Sequence, residues 1–183
     1  LRLSAGITLT MLSIVVLLVL VVVAFIRGLE ASLAATGQPN VVLVYALSSG
    51  ADIENSAIPG RTPSLLAASV AGVRQQHGVK YVSPELYLGT RITVGENGSE
   101  GLGLVRGVTT SAPLVRQQVQ ILEGNWPASG EVLVGRLAHS KLGCEKELLQ
   151  PGQLIEFDGR QWKISGVFAA GGAAFESKVW APL

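Results

Sequence analysis

From Leu3 to Ile26 the chain carries no charged residue, and residues 14–23 read IVVLLVLVVV. No other feature restricts the fold as tightly. At about 1.5 Å of rise per residue, a helix over Ala5–Ile26 is about 33 Å long, which matches a hydrocarbon core of about 30 Å. Arg2 and Arg27 bracket it as interfacial anchors. A core helix of a soluble protein would show a polar outer face, and this run has none. A cleaved signal peptide has an apolar region of about 7–15 residues with a small-residue site close behind it. Ser32-Leu33-Ala34 imitates such a site, but the run is too long and Arg27 and Glu30 intervene. The reading is therefore a retained membrane span, with a cleaved signal as the weaker alternative.

Setting Arg2 and Arg27 aside leaves twelve of the fourteen Lys and Arg against all thirteen Asp and Glu, a balance of −1. A near-neutral, well-mixed domain offers no electrostatic footprint for nucleic acid, and no basic run or aromatic-interleaved patch supplies one. Cys144 is the only cysteine, so no intrachain disulfide forms, and an odd thiol is compatible with either redox compartment. Local charge does not orient the span, because Arg2 and Arg27 balance across it.

Beyond the span, RGLEASLAATGQPN reads as a helical extension with Leu29, Leu33 and Ala34 on one face, stopped by Gly37 and Pro39. VVLVYAL (41–47) is β-branched and apolar, the pattern of a buried strand. A polar loop follows. Thr62-Pro63 then predicts a helix start with Thr62 as N-cap, and the helix runs to a left-handed glycine cap at His77-Gly78. KYVSPELYL (80–88) returns as a strand, so 41–88 reads strand, helix, strand. After that the texture changes to short strands: TRITV (90–94) and LGLVRGV (102–108) around an ENGSEG tip, a short helix at 112–117, then VQILEG and EVLVG. RLAHSKLG is a short helix capped by Gly143. QLIEF and RQWKISGVF form a hairpin about Asp158-Gly159, a type I′ pair, with Trp162, Ile164 and Phe168 expected on one face. The fold class is α+β: a transmembrane helix with a stalk over 1–37, an α/β half-sandwich over 38–88 and a β-rich lobe over 89–183.

No catalytic constellation emerges from this order. His77 is placed at a helix C-terminus, where partial positive charge is favourable, and His139 on the polar part of a short helix. His139 and Cys144 are five apart and do not share a helical face. Two histidines and one cysteine without ligand spacing do not fill a zinc shell. GLGLVRG (101–107) imitates a phosphate loop, but it sits in a β-rich stretch rather than between a strand and a helix. Asn97-Gly98-Ser99 is a glycosylation sequon, relevant only on a eukaryotic secretory route. GGAAFESKVW (171–180) clusters Glu176, Ser177 and Lys178. In an extended segment Glu176 and Lys178 share a face and Ser177 does not, which suits a surface ion pair better than a nucleophile. Gly171 and Gly172 then read as a bend, with Phe175 and Trp180 packing the end of the lobe. The expectation is no catalytic residue, no cofactor and no metal ligand.

The order of these pieces resembles a known family. A first membrane helix running into RGLEASLAATGQPNVVLV, then SPEL, LVRGV, LEGNW, EVLVGRLAHSKLG, PGQLIEFDGRQWKISGVF and GGAAFESKVW is similar to MacB/FtsX-type ABC transporter permeases. The similar part is their first membrane helix plus the MacB-like periplasmic core domain, and it covers nearly the whole chain. The resemblance implies a dimer of permease subunits in the plasma (inner) membrane, served by a cytosolic ABC ATPase subunit or fused domain. It implies an outer domain moved through a long first helix, the N-terminus in the cytosol and Gly28 onward outside. A periplasmic adaptor or lipoprotein is the implied extracytoplasmic partner or substrate. The family has four membrane helices and this chain one, with no ATPase motif. The expectation is thus the front of a longer permease, whose 41–88 half-sandwich keeps an unfilled apolar face. The competing reading is a complete membrane-anchored binding or adaptor module, and an enzyme using Ser177 ranks third.

Overall fold

The structure, a computed structural model, describes residues 2–36, 38, 40–50, 55–95, 98–171 and 174–183, and no side chains at 2–5 or 31–36. The expected helix stop at Gly37 and Pro39, the sequon residue Asn97 and the bend residue Gly172 lie outside the described residues. So do the side chains of Arg2, Leu33 and Ala34. The chain divides into two compact units, Leu1–Gln38 and Pro39–Leu183.

The first unit is one helix, α1 (Arg2–Thr36), unbroken over 35 residues. Its stretch Gly6–Glu30 is long and apolar enough to cross a membrane, and none of that window is buried. Two hydroxyls within it are closed on the helix itself, Thr10 donating to the Gly6 carbonyl and Ser13 to the Leu9 carbonyl, each at 2.9 Å. A hydroxyl satisfied in this way asks nothing of a surrounding lipid.

The second unit is built on a closed sheet. Its strands are β1 (Gln75–Gln76), β2 (Val79–Lys80), β3 (Glu85–Val94), β4 (Ser99–Val108), β5 (Gln120–Gly124), β6 (Glu131–Gly135), β7 (Leu154–Phe157), β8 (Arg160–Ala169) and β9 (Val179–Pro182). Its helices are α2 (Thr62–Ser69), α3 (Ala112–Val115) and α4 (Ala138–Leu142). The order β8-β6-β9-β4-β3-β7 returns to β8 through the β7–β8 hairpin, so six strands close into a barrel and β5 is added along β8. Only β4–β9 and β6–β8 are parallel pairs within the ring. Closure removes most open strand edges. The barrel interior is mostly aliphatic: Ile92, Val94, Val105, Val132, Val134, Ile155, Ile164 and Val179 pack with Ala138, Leu142 and Leu149 from α4 and the turn after it, and Phe157 joins them.

The β3–β4 hairpin is the longest pairing, ten residues from Glu85↔Val108 to Val94↔Ser99. It merges the two strands expected at 80–88 and 90–94 into one that begins directly after Pro84, which lacks the N–H that a ladder needs. The glycines of GLGLVRG lie inside β4 because side chains would collide there: a Cβ at Gly101 would meet the Leu142 backbone, and one at Gly103 the Ile92 side chain. At the Asp158-Gly159 turn both residues have positive φ, 53° and 67°, as the type I′ reading required.

Several expectations are corrected. Phe168 does not share a face with Trp162 and Ile164. A bulge between Ile164 and Gly166, opposite Val132/Leu133, shifts the alternation by one. Trp162 and Ile164 therefore belong with the interior cluster, while Phe168 points outward and packs on Trp180 with ring centroids 4.8 Å apart. The strand expected at 41–47 is not formed. Residues 41–46 are irregular, and Leu47–Ser49 make a 3-10 turn. The helix from Thr62 ends at Ser69, not at His77, and Arg61 rather than Thr62 holds the N-cap position. Leu65 and Val70 are exposed, so further turns would gain no packing, and short helices depend on packing. The short helix expected at 112–117 likewise stops at Val115.

Candidate functional site

GGAAFESKVW was the one segment to concentrate a carboxylate, a hydroxyl and an amine, and its geometry differs from the extended reading. Residues Ala174–Ser177 form a 3-10 turn, and Glu176 is fully buried rather than on a surface. Its carboxylate accepts the Ala170 N–H at 2.6 Å and the Arg136 Nε–H at 2.7 Å. Its own carbonyl accepts the Leu137 N–H at 2.8 Å. Glu176 is thus ion-paired with Arg136 of the segment after β6. A run of hydrogen bonds staples the turn to the end of β6, where a Cβ on Gly135 would strike the Glu176 backbone. Ser177 donates to the Ala174 carbonyl at 2.9 Å, which occupies its proton locally.

Beside this turn, the outer wall of the barrel carries a second cluster. Glu85 at the start of β3 accepts Arg106 of β4 at 2.7 Å and Arg116 at 2.7 and 2.8 Å. Arg106 is 1% exposed, with its guanidinium carbon 4.4 Å from the Tyr87 ring centre and 4.3 Å from that of Phe175. Arg116 covers the Phe175 ring at 4.5 Å, and the Lys178 ammonium lies 5.0 Å from the Tyr87 ring centre. Stacking of this kind contributes about 0.5–2 kcal/mol per contact and holds the arginines flat. Phe175 and Trp180 are both buried, as expected of residues that pack the end of the lobe. Trp126 meets Trp180 edge-on at 6.4 Å.

The remaining sequence candidates are dispersed. His77 sits with Gly78 in the β1–β2 turn, both at positive φ, so it is not at a helix C-terminus. His139 lies in α4 with Nδ1 3.0 Å from the Arg136 carbonyl and Nε2 3.2 Å from Ser140 Oγ. Cys144 meets His139 through its backbone N–H, which donates to the His139 carbonyl at 3.1 Å. Its side chain packs on the barrel core, and that burial pushes the thiol above its ordinary value of 9.0 while its backbone hydrogen bond acts the other way. Among the described residues no group of three or more His, Cys, Asp or Glu could hold a metal. Sequence reasoning missed the Glu85–Arg106–Arg116 cluster. Its members are up to 31 positions apart: the β3–β4 register brings Arg106 to Glu85, and the turn after α3 brings Arg116.

One open depression of about 380 Å³ adjoins the turn, between the middle of the β3–β4 hairpin and Lys141, Ser177 and Lys178.

The family model of the MacB-like periplasmic core domain matches residues 5–183. This chain belongs to that family. Among solved structures, the periplasmic region of MacB from Actinobacillus actinomycetemcomitans aligns with a TM-score of 0.54 and 11% identity, over 75% of this chain and 60% of that one. The extracellular domain of the noncanonic ABC-type transporter YknZ from Gram-positive bacteria gives 0.48 and 14%, over 62% and 57%. A domain of a putative permease from Porphyromonas gingivalis gives 0.46 and 12%, over 66% and 55%. The first likeness is one of fold. The chain spans 55–60% of the length of these structures. No curated protein matches it. An α+β MacB-like domain preceded by an apolar helix fits a membrane-anchored protein.

Proposed function

We propose that this chain is the front of an ABC transporter permease subunit. In this reading α1 crosses the plasma (inner) membrane with its N-terminus in the cytosol, and residues from Gly28 onward are extracytoplasmic. An ABC ATPase subunit or domain hydrolyses ATP, two permease subunits pair, and motion along α1 drives export or mechanical work outside the membrane. Residues 1–37 serve as span and stalk, 38–88 as part of a porter-like lobe and 89–183 as the β-rich lobe. The observation that supports it is the extent of the family match: it starts inside the apolar helix and runs through the barrel, treating both as one unit. The site chemistry is compatible, since a domain that transmits force needs rigid internal ties such as Arg136–Glu176.

Orientation is tested with a single exposed thiol, Ser129→Cys in a Cys144→Ser background, and a membrane-impermeant maleimide. Labelling of intact cells is expected, and labelling only after lysis would reverse the topology. The chain purified from its native membrane should bring an ABC ATPase with it. Recovery without one would favour the free-standing membrane-anchored module instead.

A further inference from the structure

We draw no further inference here: the strongest candidate, the exposed apolar run over residues 41–47 at the start of the second unit, carries nothing because nothing in the structure shows what covers it.

Discussion

Residues 41–47, VVLVYAL, and residues 131–137, EVLVGRL, are similar peptides with opposite fates. In the second, Val132, Leu133 and Val134 are 0–1% exposed, in a strand paired on both sides by β8 and β9. In the first, Val42 is 85% exposed and Leu47 96%, and Ala46 bonds only locally, its N–H donating to Ser56 Oγ at 2.6 Å. A β-branched apolar run states that a segment gains by being buried between neighbours, but it does not supply the neighbours. The barrel provides them for 131–137. Nothing among the described residues provides them for 41–47, and that apolar surface stays open.

The sharpest way to break this contrast is one charge placed in each run. Val134→Asp puts a carboxylate in a dry aliphatic interior and should cost more than about 4 kcal/mol. The full chain in detergent should then lose its cooperative thermal transition in circular dichroism. Val42→Asp should change stability by less than about 0.5 kcal/mol. Equal destabilisation by the two would show that 41–47 is packed as tightly as β6.

A smaller effect tests whether the barrel's outer ties matter in the same way. Glu176→Ala leaves the Ala170 N–H buried without its acceptor and Arg136 without its carboxylate. The Arg136 side chain is 47% exposed, so water recovers part of the loss. The expected cost is about 2–3 kcal/mol, read as a lower denaturation midpoint. Glu176→Gln keeps an acceptor for the Ala170 N–H and should cost about half as much. Glu100→Ala is the control: its pair with Arg91 is exposed on both sides, and it should cost under about 0.5 kcal/mol. A Glu176→Ala variant no weaker than this control would show that the turn does not depend on its staple.

The same contrast explains what was legible in the chain itself. α1, the strands from β4 to β8 and the Asp158-Gly159 turn were readable because their signals are local: an uncharged run, alternation, a two-residue turn. The family resemblance was readable from the order of the pieces. Three things were not. The bulge between Ile164 and Gly166 has no marker stronger than one glycine, so Phe168 was assigned to the wrong face. The length of the helix from Thr62 depends on packing that Leu65 and Val70 do not receive. The burial of Glu176 follows from the turn meeting the end of β6, where Arg136 and Glu176 bond across 40 positions that periodicity does not encode.

The smallest effect concerns Cys144, which reports how well the barrel end is covered. Burial is the larger influence on its thiol and raises the pKa above 9.0, so the folded chain holds the proton more tightly than the unfolded chain does. Stability from this group is complete below the unfolded value and is lost as pH rises through the folded one. Only the thiolate is alkylated. The rate of iodoacetamide reaction should therefore reach half its maximum above pH 9.0 in the folded protein and move down in denaturant. A Val42→Cys thiol in a Cys144→Ser background, placed in the open run, should titrate as the denatured protein does. If the two thiols react with the same pH profile in the folded protein, the covered and uncovered regions do not differ at the places these residues occupy.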